Sequence, residues 1–348
     1  MTQNTAEDLL DRANFYAYTL KNFDRAIELY HKYAYLRPQD YGLYIYLFHA
    51  YWFKKEYQKA WEVFENRFNF YECSKDASEM ARFELKHCVL PHRWDGKQDI
   101  SGQKVLVWGE EGIGDIVHFL RYIPHLKALG GHVIFTTRYP VLRTLLEKQP
   151  YIDQVVIQES DTPIPEYDTC LPLMSIPFLT GRNDFPPPPY LTVEGKTDLR
   201  NGKKNIGICW AGNSTFFKDA ARSHQLQEFG PLATNFNQLV SLQKEKRLDA
   251  KKDIMNLLEL PIDSLEDTAK LINGCDVVVS VDTAVAHLAG AMNKETYLLL
   301  PGYPEWRWGL DEISCIWYPN TRLCKTVGEL ISLVNQNENR HNRLVQSR

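Results

Sequence analysis

The sequence predicts an α/β protein in which tetratricopeptide-like helical repeats precede two doubly wound, Rossmann-like domains with a cleft between them. Three observations carry this expectation. Residues 1–92 read as all-helical and repeat upon themselves. Residues 93–185 and 205–325 each alternate apolar strand-like runs with helical runs, the pattern of a parallel sheet. Between them, Pro186 to Pro189 open a segment, 186–204, that reads as a stiff linker, because consecutive prolines fix φ and remove amide donors. Residues 326–348 read as a C-terminal amphipathic helix and tail.

In the helical part, Tyr18 aligns with Trp52, Phe23 with Tyr57, Ala26 with Ala60 and Tyr30 with Phe64, each pair 34 residues apart. That is the tetratricopeptide period of one helix–turn–helix per repeat. Small Ala26 and Ala60 let paired helices approach, and Pro38 ends the first unit. Two units are few for such an array, so 70–92 is expected to add a third helical piece, or the array to pack on the next domain. A repeat surface of this kind binds protein segments.

Composition narrows the class. With 348 residues, 44% hydrophobic and 24% charged, the chain can build two or three proper cores. A net charge of -4 argues against a nucleic-acid-binding surface. No apolar run approaches the roughly 18 residues needed to span a membrane, and MTQNTAEDLLDR lacks a signal-peptide pattern. Seven scattered cysteines form no Cys-x-x-Cys pair, which disfavours a zinc site or a disulfide framework and suits a reducing cytoplasm.

The first Rossmann-like domain is expected to place strands at 104–108, 132–137, 153–157 and 168–173, with helices at 115–128 and 140–148. Its first strand leads into Gly112-Ile113-Gly114-Asp115 and a helix, a site at the carboxyl end of a strand, where open α/β sheets bind ligands. The turn lacks the Gly-Lys-Ser/Thr of a P-loop. It also lacks the third glycine of a dinucleotide site, and Phe135-Thr136-Thr137-Arg138 supplies no ribose-binding acid. Asp115 is therefore the residue to explain.

The second domain is expected to place strands at 205–210, 238–242, 276–281 and 296–300, and helices at 265–273 and 283–292. After the strand ending at Val281, Asp282 or Thr283 can cap the next helix. Ala284 leaves room beside its free amides, which together with the helix dipole favour an anion, most simply a phosphate. His287 lies about one and a half turns on and can donate to the same phosphates; by position alone it also reads as a packing histidine. Gly212 and Asn213 follow the first strand and suit a turn whose backbone approaches a ligand. Lys218 and Arg222 come next; Arg222 can offset diphosphate charge, whereas Lys218 reads as a solvated loop cation.

Together these pieces resemble the family 9 glycosyltransferases of the lipopolysaccharide heptosyltransferase type. The shared order is a Gly-x-Gly-Asp turn, a basic-polar loop after the first strand of the second domain, and Val-Asp-Thr-x-x-x-His-Leu-Ala, spanning about residues 102–300. More closely, the chain is similar to bacterial tetratricopeptide proteins fused to such a domain. Arg93-Trp94-Asp95-Gly96, Trp210-Ala211-Gly212-Asn213, Arg222-Ser223, Ser241-Leu242-Gln243, Glu305-Trp306-Arg307-Trp308 and Trp317-Tyr318-Pro319 carry that likeness.

The resemblance implies two Rossmann-like domains of the GT-B type, no metal and no cofactor, with a nucleotide diphosphate sugar as the donor substrate. It implies Asp115 as general base on an acceptor hydroxyl, with inversion. Gly112, Gly114, Gly212, Asn213, Arg222, Gln243, Asp282, Thr283, Ala284 and His287 are the implied donor-binding positions. Arg222 stands where the heptosyltransferases carry a lysine, and no Trp-Pro pair follows it. The acid they place near the ribose has no counterpart beside Gln243, so base and sugar stay open. The repeats make a protein acceptor more plausible than a lipid. The alternative from another class is a non-catalytic scaffold or regulator with a degenerate transferase-like domain.

Overall fold

The computed structural model describes residues 5–73, 93–159, 162–199, 202–244, 257–303, 305–310 and 313–346. Two compact units divide the chain. The first takes residues 1–111, 122–138 and 158–184; the second takes 112–121, 139–157 and 185–348.

The first unit begins with helices α1 (Ala6–Asn14), α2 (Phe23–Leu36), α3 (Leu43–Phe53), α4 (Tyr57–Phe64) and α5 (Arg67–Cys73). Thr5 and Asp8 close a capping box at the start of α1, and a π-helical stretch, Phe15–Thr19, prolongs it. Helix α2 stops at Leu36, just before Arg37 and Pro38. Helix α3, LYIYLFHAYWF, is nearly all apolar because it packs on α2 on one side and α4 on the other. Phe23 opens α2 as Tyr57 opens α4, and Ala26 and Ala60 are both fully buried. The helical piece expected over 70–92 lies, from residue 74 onward, outside the described residues.

Four short strands follow: β1 (Lys104–Trp108), β2 (His132–Thr137), β3 (Gln154–Ile157) and β4 (Thr169–Pro172). In the first unit β1 lies between β2 and β4, parallel to both, with Val107 opposite Phe135 and Leu171. Parallel strands covered on both faces need continuous apolar runs, and Val105-Leu106-Val107 supplies one. The helix expected over 115–128 is broken into α6 (Ile113–Phe119), a 3-10 turn at Leu120–Tyr122, and α7 (Ile123–Ala128), with Pro124 in the first turn of α7. Two short helices, α8 (Arg143–Leu146) and α9 (Ile176–Leu179), complete this stretch.

A buried ionic cluster ties α5 to the loop after β1. Arg67, wholly buried, donates from Nε and Nη2 to the two carboxylate oxygens of Glu110, each at 2.9 Å. It also donates to Ser175 Oγ (2.8 Å) and to Glu65 (2.8 Å), and its guanidinium stacks on Phe64 and Phe68. Glu110 accepts a further bond from the Met174 amide at 2.9 Å. A buried arginine and carboxylate need this degree of satisfaction to offset their lost hydration.

The second unit holds a six-stranded, wholly parallel sheet. Its strands are β5 (Lys204–Cys209), β6 (Asn237–Ser241), β7 (Leu257–Leu258), β8 (Val277–Val281), β9 (Thr296–Leu299) and β10 (Thr321–Cys324), in the order β10-β9-β8-β5-β6-β7. Helices α10 (Leu265–Gly274), α11 (Ala284–Ala291) and α12 (Val327–Gln346) complete it. The order reverses between β5 and β8, so the carboxyl ends of those two strands flank a topological switch point. The proline segment runs on without regular structure, and the amides of Tyr190 and Leu191 donate to the Ala291 carbonyl at 3.1 and 3.4 Å. Among the described residues no helix is long and apolar enough to cross a membrane.

Candidate functional site

Both loops at the switch point carry residues singled out from the sequence. After β5, Trp210-Ala211-Gly212 leads into the polar loop. After β8, Asp282 precedes Thr283, which caps α11: its Oγ1 accepts the Val285 amide at 3.3 Å. Of the two candidate caps, Thr283 takes the role, leaving the Asp282 side chain beside the helix end. Arg222 donates from Nη1 to the Asp282 carbonyl (2.9 Å) and from Nε to Asp219 (3.3 Å), while its guanidinium stacks on Phe216. That position explains Gly212. A Cβ there would lie 2.4 Å from Arg222 Nη2 and 2.5 Å from Asp219 Oδ1.

Helix α6 clusters with this same unit and brings the Gly-x-Gly-Asp turn to the start of α11. A Cβ on Gly114 would meet His287 Cδ2 at 3.0 Å and the Ala284 Cα and amide nitrogen at 3.6 and 3.7 Å. Glycine is therefore what lets the two helix N-termini meet. Asp115 sits at the third position of α6. Its Oδ2 accepts the Gly112 amide at 3.1 Å, the acid's half of a capping box, and its Oδ1 is ion-paired with Arg307. Arg307 also holds Glu305 through its side chain and, at 2.7 Å, through its own amide.

Asp115 and Glu305 thus pair with one guanidinium, and the Asp282 carboxylate acts on it through charge. Burial raises the pKa of Asp282, with Arg307 opposing. Burial pushes Glu305 up to about 7, again against Arg307, with Asp282 and Asp115 adding to the rise. Burial also works against the charge on Arg307, but Glu305, Asp115 and Asp282 outweigh it and hold the group above its usual range.

His287 is buried and stacks on Trp308, with ring centroids 5.0 Å apart. Its Nδ1 lies 2.9 Å from Tyr318 Oη, and the same oxygen lies 3.0 Å from His118 Nδ1. Burial holds both imidazoles far below the usual histidine range; next in weight come Arg307 and Arg121 at His287, and Arg121 at His118. Arg121 is itself buried, donating to the His118, Trp317 and Pro186 carbonyls and to Tyr190 Oη.

Two further predicted positions make local contacts. Gln243 clamps Ala211 at both ends: its Oε1 accepts the Ala211 amide (3.2 Å) and its Nε2 donates to the Ala211 carbonyl (3.0 Å). Asn213 turns the loop by accepting Thr215 N and Oγ1, both at 2.9 Å. Lys218 rests with Nζ 4.9 Å from the centre of the Tyr303 ring. Arg307, Glu305, Tyr318 and His118 carry no role in the sequence reading. The one local signal was charge between tryptophans in Glu305-Trp306-Arg307-Trp308; their pairing with residues about 190 positions away leaves no periodic trace.

The convergence of a Gly-x-Gly-Asp turn with an Asp-Thr-x-x-x-His helix start invites comparison with known proteins. Residues 227–298 match the model of glycosyltransferase family 9 (heptosyltransferase). The matched span holds Gln243, Asp282, Thr283, Ala284 and His287. Protein FlbA of Caulobacter vibrioides is 25% identical over 305 residues, covering 76% of this chain and 48% of that protein. The chain therefore spans about half the length of this curated relative. Among solved structures, the family 9 glycosyltransferase of Veillonella parvula aligns with a TM-score of 0.50 at 12% identity, over 65% of this chain and 88% of that one. The ADP-heptose lipopolysaccharide heptosyltransferase II of Escherichia coli aligns with a TM-score of 0.49 at 15% identity, over 67% and 98%. The Veillonella match shows a shared mixed α/β fold with parallel sheets. The likeness to family 9 glycosyltransferases at the level of sequence is thus direct over residues 227–298.

Proposed function

We propose that this chain is a metal-independent, inverting glycosyltransferase that takes a sugar from a nucleoside diphosphate donor. One observation carries the reading: Asp115 and the N-terminus of α11 stand together, with Gly114 against Ala284 and His287. The amides at the start of α11 and the His287 ring are placed to steady a leaving diphosphate, where charge develops as the glycosidic bond breaks. Asp115 is the carboxylate placed to take the acceptor's proton. Arg222, fixed over Gly212 and the Asp282 carbonyl, adds positive charge at the same end of the sheet.

The acceptor is a protein segment held by tetratricopeptide-like repeats formed by α1 to α4. What supports this is the pairing of those helices and the equal placement of Ala26 and Ala60 at their buried seams. Work in the cytoplasm follows from the sequence expectation of a reduced chain.

Thermal shift against nucleoside diphosphates and their sugars tests the donor site. One nucleotide should stabilise the protein selectively, and Asp282→Ala combined with His287→Ala should remove the effect. No stabilisation by any nucleotide would sink the reading. A scaffold that binds without catalysing is the competing reading, favoured by the ion pair that occupies Asp115. Asp115→Asn separates the two, since only a catalyst loses its biological function.

A further inference from the structure

The Glu305-Trp306-Arg307-Trp308 segment has no part in the donor site as described so far, yet Arg307 lies at its centre. Its guanidinium pairs with Asp115, on the turn whose neighbouring Gly114 touches the first residue of α11. Its other arm is held by Glu305, and its plane rests on Trp306, 4.3 Å from the ring centre. The Nε–H is buried and has no hydrogen-bond partner. An unpaired donor on a buried guanidinium is costly. A cation with a spare donor, beside a helix N-terminus, is equipped for a second anion.

The ion pair has a chemical consequence. With a guanidinium on Oδ1 and an amide on Oδ2, both oxygens of the Asp115 carboxylate are occupied, and an acceptor hydroxyl has to compete with Arg307 to reach Oδ1. For Asp115 to act as a base, Arg307 has to leave it.

We propose that Arg307 is a diphosphate-binding residue that masks Asp115 until the donor arrives, when the diphosphate draws the guanidinium away and frees the base. This rests on the donor-site reading above and deepens it. Planar arginine forks bind diphosphate oxygens in pairs, so the exchange trades one charge-assisted contact for another. Glu305 stays on the far arm and tethers the guanidinium to the site while it moves from Asp115 to the diphosphate. The order of events follows: donor first, acceptor second, and no active base on a donor-free chain.

Calorimetric titration of the full chain with inorganic pyrophosphate, ADP, GDP and UDP tests the exchange without knowledge of the sugar. Arg307→Ala should weaken binding of whichever probe binds by about tenfold or more, and Arg307→Lys, which keeps the charge, by less. Asp115→Asn should tighten binding by about threefold or more, because it removes the anion that competes for Arg307. In the double variant Asp115→Asn, Arg307→Ala that gain should vanish. Binding indifferent to both single substitutions, yet lost in His287→Ala, would overturn the masking proposal and leave the donor site standing. Failure of all four probes to bind either parent or Asp115→Asn would overturn both. Matching melting curves for parent and Arg307→Lys guard against a folding defect.

Discussion

The hydroxyl of Tyr318 stands 2.9 Å from Nδ1 of His287, and that contact decides which proton the imidazole presents to the site. Tyr318 has one proton, and His118 Nδ1 competes for the same oxygen at 3.0 Å. Tyr190 Oη lies farther from the hydroxyl, at 3.4 Å, so its proton goes to the nearer pair: with both imidazoles neutral, one ring donates to the hydroxyl while the other accepts from it. His118 Nε2 is buried without a partner. A lone pair is less costly there than an orphaned N–H, so His118 carries its proton on Nδ1. Tyr318 then donates to His287 Nδ1, which puts the His287 proton on Nε2. Nitrogen-15 NMR should find His287 as the Nε2–H tautomer. Neither ring should gain charge on lowering the pH from 8 to about 5, whereas an ordinary histidine changes near 6.5. A normal titration of His287 would refute the assignment.

Tyr318→Phe removes the hydroxyl and leaves both Nδ1 atoms without it. The expected loss of stability is about 1–3 kcal/mol, the penalty for an unsatisfied buried polar group. Any diphosphate affinity should fall as well, since the orientation of His287 is released. Chemical denaturation alongside calorimetry reads both, and unchanged affinity would detach Tyr318 from the site.

Gly290 faces the same ring. A Cβ there would lie 2.5 Å from Tyr318 Cγ and Cδ1, and the ring is wholly buried. Gly290→Ala should cost about 1–3 kcal/mol by overpacking and disturb both histidines. Gly114→Ala, meeting only His287 Cδ2 at 3.0 Å, should cost less stability and chiefly affect nucleotide binding. The reverse ranking would contradict the packing described.

Glu305 gives a pH signature. Its pKa of about 7 lies above the ordinary 4.5. Between those values the folded chain keeps a proton that the unfolded chain releases. Its contribution to stability is therefore complete below about pH 4.5 and is lost as pH rises through 7. Glu305→Gln lacks this loss. The stability of the variant relative to the parent should therefore rise by about 3 kcal/mol from pH 4.5 to 7.5 and then level off. A difference that stays flat with pH would show that Glu305 ionises normally.

Much of the second unit was legible because its strands are short apolar runs ended by turn residues. Strand β8 and helix α11 fall within a residue or two of expectation, and Ser264 with Asp267 caps α10 as a local signal should. The break at Leu120–Tyr122 was not anticipated, although Pro124 marks the place. Strands β7 and β10 have no counterpart in the expectation: β7 is two residues long, and β10, TRLC, has two polar residues among its four. At the site, backbone-defined features could be read: the glycines and the helix start, with its cap narrowed to Asp282 or Thr283. What could not be read was partnership, because Asp115 with Arg307 and His118 with Tyr318 join distant segments through side chains alone.

The Arg67–Glu110 clamp bears on how this architecture can be taken apart. Arg67→Ala should destabilise the first unit by about 3–5 kcal/mol, whereas Arg67→Met with Glu110→Leu should come close to neutral. A chain begun after the helices would leave the Glu110 carboxylate without its arginine, directly ahead of the glycine turn. The N-terminal helices are thus welded to the strand that follows them: they cannot be traded for another helical segment as a cassette, and a recombination that swaps them has to rewrite residue 110 as well.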